Sequence, residues 1–179
     1  MKALIVLALA ALLAWPLQAQ QAPTQAPPLG LDIHYVPTPE AVVDAMLTLA
    51  QVTSADVVYD LGSGDGRIPI EAARKYGARG VGVELDPALV QRARENAQAA
   101  GVADKVTFVQ ADLFRTDLSE ATVVTLFLSP SVNLRLRSKL QRELKPGARV
   151  VSNRFPIADW VPDQELTVEG TPVKFWLVR

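Results

Sequence analysis

The chain has 179 residues, of which 49% are hydrophobic and 21% charged, and its 18 Lys and Arg nearly balance its 19 Asp and Glu. This length suits one globular domain, and a net charge of -1 lacks the basic surplus that nucleic-acid binding requires. The lack of cysteine excludes disulfides and thiolate nucleophiles, and the single histidine, His34, makes a His-rich metal site or a Ser-His-Asp triad hard to build. We therefore expect neither a nucleic-acid partner nor a metal site.

The first 19 residues have the composition of a secretory signal. Lys2 precedes an apolar run that ends at Leu17, and Ala19 is a small residue at a usable cleavage point, as in signal peptides. The run is shorter than the about 20 residues that cross a bilayer as a helix, so cleavage is favoured, with an uncut signal anchor as the alternative. Residues 20–29 are rich in Pro, Gln and Ala, which predicts a disordered linker. The folded domain is expected over residues 30–179.

From Pro39 onward the chain alternates between helical and strand patterns. Pro39 opens the first helix, where a missing amide donor does least harm, and the strand segments are nearly continuous apolar runs, as strands covered on both faces must be. This alternation predicts a doubly wound α/β fold with a mostly parallel, seven-stranded sheet. The predicted strands are 57–61, 80–85, 106–110, 122–128 and 149–152, followed by an antiparallel hairpin of 165–169 with 173–178, and the later helices are 67–76, 87–100 and 132–144.

Three glycines follow the first predicted strand. Asp60 lies near the end of that strand, and Gly62, Gly64 and Gly66 precede a helix, at the edge where open α/β sheets bind ligands. Nicotinamide and flavin sites need a glycine where Arg67 stands, and no Gly-Lys-Ser/Thr follows as in a phosphate-binding loop. Glycines let the backbone approach a ligand closely, and the next helix offers amide donors to a negative group. The pattern suits a nucleoside with an amino-acid tail.

Carboxylates also follow the next two predicted strands. Glu84 lies at the second, where a carboxylate can accept both hydroxyls of a ribose, and Asp112 follows the third, where it could accept from an adenine amino group. Each acid alone has a simpler interpretation, Asp60 as a turn former and the other two as solvated loop residues. Together, at these spacings, the three acids predict a nucleoside-cofactor site.

These blocks resemble the class I S-adenosylmethionine-dependent methyltransferases, which have a Rossmann-like fold. Four segments are more narrowly similar to the protein-lysine methyltransferases of the mitochondrial ATP synthase c subunit and the adenine nucleotide translocase, and to their bacterial relatives. They are residues 34–38, 60–67 (DLGSGDGR), 127–131 and the late Arg-Phe-Pro…Trp…Pro of 154–162. The resemblance covers about residues 34–179.

The resemblance implies S-adenosylmethionine as the cofactor. Asp60, Gly62 and Gly64 would hold its methionine part, Glu84 its ribose and Asp112 its adenine. The full set predicted to bind the cofactor is Asp60, Gly62, Ser63, Gly64, Gly66, Glu84, Asp112 and Leu113.

The methyl acceptor is expected at the end of the fourth strand. Ser129 and Pro130 stand there in place of the Asn/Asp-Pro-Pro-Tyr/Phe block of enzymes that methylate amino groups of nucleic acids or glutamine. A lysine must lose a proton before it attacks, which costs about 4 to 5 kcal/mol at pH 7, and burial among aromatic walls lowers its pKa. We predict Ser129, Pro130 and Tyr35 as the catalytic set, with the carbonyl or the hydroxyl of Ser129 as an orienting acceptor, and identify no general base. The candidate walls are Tyr35, Phe127, Phe155 and Trp160. The alternative for the two phenylalanines is core packing, and the alternative for Trp160 is a cover over the sheet edge.

The connections after the third and fifth strands are short, so no inserted domain encloses a small molecule. An uncovered site suits a macromolecular side chain, and the resemblance implies that this is a protein lysine, including one in a membrane-embedded protein. The alternatives are a small-molecule methyltransferase and a non-catalytic exported protein that keeps the fold. The basic helix face at residues 135–145 could meet anionic headgroups or an acidic partner, or be an ordinary solvated surface. We expect a monomer, exported or anchored by residues 1–19 on the periplasmic side if bacterial, with cytoplasmic action left open because the cofactor is made there.

Overall fold

The computed structural model describes residues 35–179. The predicted signal segment 1–19, the linker 20–29 and His34 lie outside the described residues. Among the helices of residues 35–179, none is both long and apolar enough to cross a membrane.

Helices and strands alternate along the described residues. The helices are α1 (Glu40–Leu49), α2 (Arg67–Tyr76), α3 (Pro87–Ala99) and α4 (Pro130–Glu143). The strands are β1 (Val57–Leu61), β2 (Arg79–Glu84), β3 (Val106–Gln110), β4 (Val123–Leu126), β5 (Arg149–Asn153), β6 (Gln164–Val168) and β7 (Thr171–Leu177).

The strands form one sheet in the order β3-β2-β1-β4-β5-β7-β6. Strands β1 to β5 pair in parallel, whereas β7 is antiparallel to both β5 and β6. The predicted Rossmann-like sheet with a C-terminal antiparallel hairpin is therefore confirmed. The chain runs outward from β1 to β3 and then returns to β4 on the other side of β1. A ligand crevice is expected at this reversal, outside the carboxyl ends of β1 and β4.

Helices cover both faces of the sheet. Adjacent residues of β1 face opposite ways: Val58 packs with Met46 of α1, and Tyr59 belongs to the cluster that contains Leu136 of α4. Helix α3 packs on β3 through a separate cluster that includes Phe108. Because helices bury both faces of the central strands, these strands carry apolar side chains on both faces.

The main differences from the predicted elements surround the turn between β4 and α4. The predicted strand runs to 128, but its pairing ends at Leu126, and the helix begins at Pro130 rather than 132. Ser129 has an extended backbone and is the N-cap, so Pro130 occupies the first helical position, where its missing amide costs no helical bond. Elsewhere β2 lies one residue earlier than predicted, and Pro39 is the N-cap of α1.

Candidate functional site

The glycine-rich loop between β1 and α2 is held on β2 by backbone hydrogen bonds. The amides of Gly62 and Ser63 both donate to the carbonyl of Val83, over 2.8 and 3.0 Å. The Gly66 amide donates to the Ser63 carbonyl over 2.9 Å. The sequence predicts amide donors for a negative ligand group in the helix that follows, α2, and that expectation stays a prediction. In the loop itself, the amides of residues 62–64 and 66 already have acceptors within the protein.

Two positions in this loop require glycine. Gly64 has a φ of +51°, and a Cβ in its place would lie 2.4 Å from the ring of Tyr35. Gly66 has a φ of +80°, and a Cβ there would lie 2.5 Å from the ring of Phe108. Side chains disfavour this left-handed region, and the two rings occupy the space that they would need. The loop is therefore in close contact with two aromatic side chains.

Asp60 is a buried acid on β1. Only 4% of the residue is exposed, and its Oδ1 accepts a hydrogen bond from Thr125 Oγ1 on β4 over 2.7 Å. Burial raises the pKa of Asp60 to about 7; the Thr125 bond opposes this shift, and the negative charges of Glu84 and Asp65 add to it. A cation placed beside Asp60 would stabilise its ionised form. The site therefore favours a positively charged ligand group at this position.

Glu84 braces the glycine loop from the tip of β2. Its Oε2 accepts from the amide of Gly64 over 2.9 Å, and its Oε1 accepts from the amides of Leu85 and Asp86 over 2.7 and 3.0 Å. A carboxylate has about four acceptor positions, so these bonds leave about one for a ligand. Any contact to ribose hydroxyls must share the carboxylate with the backbone, a structural role that sequence analysis did not anticipate.

Asp112 lies in an exposed turn two residues beyond β3. Its Oδ1 accepts from the amide of Phe114 over 2.9 Å, and the amide of Ala111 donates to the carbonyl of Glu84 over 3.0 Å. The second bond places this turn beside the tip of β2. Leu113 is half-buried and packs against the core. The three predicted acids thus stand at the carboxyl ends of adjacent strands.

The expected acceptor side carries a pair of stacked rings. Phe127 and Phe155, which follow β4 and β5, have ring centroids 6.3 Å apart and planes inclined by 17°. The carbonyl of Ser129 accepts from two amides in the first turn of α4, so its predicted orienting role falls to the exposed hydroxyl, 3.0 Å from Ser131 Oγ. Pro130 contributes the backbone turn that presents this hydroxyl.

Trp160 packs against Trp176 and does not extend the stacked pair of Phe127 and Phe155. Their ring centroids are 5.9 Å apart, and the Trp160 carbonyl accepts from Trp176 Nε1 over 2.8 Å. Trp160 also lines a shallow groove with Arg154, Glu165 and Lys174. The structure therefore favours the alternative interpretation of Trp160 as a cover over the sheet edge.

Several basic side chains of α4 are engaged within the protein. Arg137 pairs with Asp159, and Lys139 pairs with Glu143 over 2.6 Å. The guanidinium of Arg135 lies 3.9 Å from the centre of the Phe114 ring. These contacts reduce the free positive charge of the helix. Contact of this face with a membrane surface stays a prediction.

Residues 35–38, here called the strap, reach α1 from the glycine loop. Arg67 donates from Nη1 to the carbonyl of Thr38 over 2.8 Å. The same guanidinium donates from Nε and Nη2 to the carboxylate of Asp65 over 2.9 and 2.7 Å. One arginine therefore connects the strap to the loop.

Tyr35 forms the other end of the strap. Its ring contacts Gly64, and 37% of the residue remains exposed. Burial raises the pKa of Tyr35, and the neighbouring carboxylate of Asp65 raises it further. At the α1 end, Asn153 Nδ2 donates to the hydroxyl of Thr38 over 3.4 Å, and the Asn153 Oδ1 is buried without a hydrogen-bond partner.

Sequence analysis does not single out Asp65, Arg67, Thr125 or Asn153. Asp65 and Arg67 lie inside the glycine block, where only the spacing of the glycines was used. Thr125 and Asn153 are polar residues on the apolar strands β4 and β5, and this break in the pattern is the signal that could have identified them.

The residues at the three strand tips fit S-adenosylmethionine. That molecule offers an ammonium, a ribose diol and an adenine amine as hydrogen-bond donors, and Asp60, Glu84 and Asp112 are acceptors at adjacent tips. Asp60 has the burial and raised pKa at which a cation is favourable.

Comparison with known proteins gives the same picture. The family model described as the ANTKMT methyltransferase domain matches residues 60–164. A protein-lysine N-methyltransferase of Saccharolobus islandicus (strain REY15A) is 48% identical over 138 residues, which are 76% of this chain and 86% of that protein. The adenine nucleotide translocase lysine N-methyltransferase of Mus musculus is 44% identical over 136 residues, 75% of this chain and 58% of that protein. The chain thus spans less than two thirds of the mouse relative.

A solved structure is similar over almost its whole length. The RNA methyltransferase from Salinibacter ruber, in complex with S-adenosyl-L-homocysteine, is 59% identical, with a TM-score of 0.79, and the alignment covers 80% of this chain and 94% of that chain. The family match contains the glycine loop, all three strand-tip acids and the turn between β4 and α4.

Proposed function

We propose that this chain, which belongs to the ANTKMT methyltransferase family and is an S-adenosylmethionine-dependent methyltransferase, methylates protein. The proposed methyl acceptor is the side-chain amine of lysine. The observation that carries the proposal is the 48% identity to a protein-lysine N-methyltransferase across 86% of that protein. The stacked rings of Phe127 and Phe155 at the acceptor side support it, because they offer an apolar surface to a lysine side chain.

We assign the cofactor to the three strand tips. Asp60 faces the ammonium, because burial makes an adjacent cation favourable there. Glu84 offers its remaining acceptor position to the ribose, and Asp112 with Leu113 borders the adenine. S-adenosylmethionine, when bound, would supply a methyl group on a sulfonium. After the lysine ammonium has released a proton, its neutral nitrogen would bond to the methyl carbon as the carbon–sulfur bond breaks with its electron pair going to sulfur, which gives protonated methyl-lysine and S-adenosylhomocysteine.

The protein's own contribution at the acceptor side is to desolvate and align the amine. Phe127 and Phe155 exclude water and so lower the pKa of an ammonium held against them. The hydroxyl of Ser129 accepts a hydrogen bond from the amine and orients its lone pair, while Tyr35 borders the site from the strap. Alignment of two bound groups by itself accelerates such reactions strongly, which is consistent with a site in which we identify no general base.

The test is labelled-methyl transfer by the full chain. Protein fractions, soluble and membrane, and total RNA are incubated with methyl-labelled S-adenosylmethionine, and labelled residues are identified by mass spectrometry. We expect methyl-lysine in protein. Glu84→Gln should reduce its yield at least tenfold, because the side-chain NH2 of glutamine would face the backbone N–H groups that now donate to the Glu84 carboxylate. The matched control is Glu120→Gln, since Glu120 is exposed and pairs with Arg79 at the opposite edge of the sheet; its activity should stay within twofold of wild type.

An RNA acceptor is the second candidate, because the structure from Salinibacter ruber with 59% identity is that of an RNA methyltransferase. The balanced charge of this chain and its Leu-Ser-Pro turn after β4 favour protein over RNA. The same assay separates the two, since label found in RNA and not in protein would overturn the lysine proposal. Label confined to low-mass compounds would instead indicate a small-molecule acceptor.

A further inference from the structure

We propose that the ion pair of Asp65 and Arg67 is a positioning clamp, which holds the strap across the glycine loop so that Tyr35 is a fixed wall beside the reacting amine. Arg67 is thus a positioning residue that acts through Tyr35. This inference rests on the proposed function for the identity of the acceptor only.

The clamp reaches the strap at both of its ends. Arg67 bonds the carbonyl of Thr38 and both oxygens of the Asp65 carboxylate, and Asp65 lies beside the phenol of Tyr35. Burial alone would raise the pKa of Asp65, but the bonds from Arg67 and the nearby phenol of Tyr35 lower it, so the pair remains charged. The planar fork of arginine makes three such bonds at once, which the single ammonium of lysine cannot reproduce in the same geometry.

The strap has little apolar burial to hold it in place. Val36 is 59% exposed, so hydrophobic packing contributes little there, and Tyr35, which is 37% exposed, contacts the loop through its ring. Polar contacts from the loop and from Asn153 therefore determine where it lies. The side chains of the pair are 32% exposed for Arg67 and 15% for Asp65, a degree of burial at which an ion pair is screened less than on an open surface.

The strap sequence favours a single path. Pro37 and Pro39 fix their own φ angles, and the residues before them, Val36 and Thr38, are restricted to extended backbone. Ordering this segment costs little conformational entropy, because few alternatives exist in the unfolded chain. Fixing the carbonyl of Thr38 therefore also constrains the direction in which Tyr35 points.

The glycine loop does not depend on the arginine side chain. Its amides bond to Val83, Ser63 and Glu84, and none of these bonds involves Arg67. Loss of the clamp should therefore release the strap and leave the cofactor site formed. This separation distinguishes a positioning role from a general structural one.

The first experiment measures the strap without any acceptor. In the 15N-labelled full chain, we expect the backbone order parameter of Val36 to fall from about 0.85 to below 0.6 in Arg67→Met, the range for a flexible segment, and the Gly64 resonances to lose the ring-current shift of Tyr35. Arg74→Met is the matched control, because Arg74 lies on the same helix and pairs with Glu71 on the exposed surface. An unchanged order parameter at Val36 in Arg67→Met would overturn the clamp.

The second experiment separates acceptor turnover from cofactor affinity. Arg67→Met should lower kcat/KM for the acceptor at least tenfold and change the Kd for S-adenosylhomocysteine less than threefold, with Arg67→Lys intermediate in kcat/KM. In a Tyr35→Ala background, Arg67→Met should cost less than twofold, because the residue through which it acts is gone. An equal loss in both backgrounds, or a Kd weakened more than tenfold, would refute the positioning role.

Failure of the clamp and failure of the lysine proposal give different results. The kinetic ratio is measured with whichever acceptor the wild-type protein labels, protein or RNA, and the order parameter and Kd require no acceptor. Label in RNA with a tenfold loss in Arg67→Met would overturn the lysine acceptor and support the clamp. Label in lysine with no loss in Arg67→Met would do the reverse.

Discussion

Asp60 should make the stability of this protein fall as the pH rises through the neutral range. Burial raises its pKa to about 7 in the folded chain, whereas the value in an unfolded chain is about 3.9. Between these values the native state keeps a proton that the unfolded state has released, so the free energy of unfolding decreases with rising pH. The stabilisation is complete below about pH 4 and is lost once the pH passes about 7.

The magnitude follows from the size of the pKa shift. Each pKa unit corresponds to about 1.36 kcal/mol, so the full effect is about 4 kcal/mol and the part that falls between pH 5 and pH 8 is about 3 kcal/mol. This is a large fraction of the stability of an ordinary domain.

The assay is urea unfolding at several pH values between 5 and 8, at constant ionic strength, for wild type and Asp60→Asn. Asparagine does not titrate in this range, and its Oδ1 can still accept the hydrogen bond that Thr125 now donates. Subtracting the two proteins removes the contributions of His34 and of the other carboxylates, which are common to both. We expect the wild type to lose about 3 kcal/mol relative to Asp60→Asn.

Parallel stability curves, within about 0.5 kcal/mol across the whole range, would refute the reasoning that burial of Asp60 dominates its pKa. The same carboxylate predicts a linked effect on binding. Affinity for S-adenosylhomocysteine should increase from pH 5 to pH 7 in the wild type, because the acid becomes ionised, and should change little in Asp60→Asn.

Two further predictions concern stability away from the three strand-tip acids. Gly66→Ala combines a left-handed backbone with a Cβ only 2.5 Å from the Phe108 ring, so urea unfolding should show that the free energy of unfolding falls by about 2 to 5 kcal/mol. The control is Gly170→Ala, with a φ of +77° and nothing within 4 Å, which should lose only about 1 kcal/mol. Equal losses in the two variants would contradict the packing argument. The carboxylate of Asp56 is 7% exposed and pairs with Arg149, and Arg149→Met removes its cation. The same assay should therefore show that the free energy of unfolding falls by about 3 kcal/mol. A loss below about 0.5 kcal/mol would mean that the pair contributes nothing to stability.

Local patterns were sufficient to predict much of this fold. Helix α2 occupies residues 67–76 as predicted, because Gly66 and Gly77 both have left-handed backbones that begin and end it. Strand β3 also matches its predicted range, since its apolar run stops at Gln110. Both results depend on residues close together in the chain.

The position of the site was predictable for the same reason. In a parallel α/β sheet the carboxyl ends of the strands lie at one edge, so Asp60, Glu84 and Asp112 had to approach one another once the strands were recognised. The prediction for the turn between β4 and α4 was less accurate, because β4 stops opposite Leu61, the last residue of β1, and not where the apolar run ends.

The sequence by itself determined the order of strands and helices along the chain and the placement of three acids at the carboxyl ends of adjacent strands, because hydrophobic periodicity and glycine placement act over a few residues. Only the tertiary structure decided the partners of those acids. Thr125 meets Asp60 from 65 residues away, and Arg67 meets the Thr38 carbonyl from 29 residues away. Such hydrogen bonds depend on the register between strands and on how α1 packs against α2, and no local pattern in the chain encodes either.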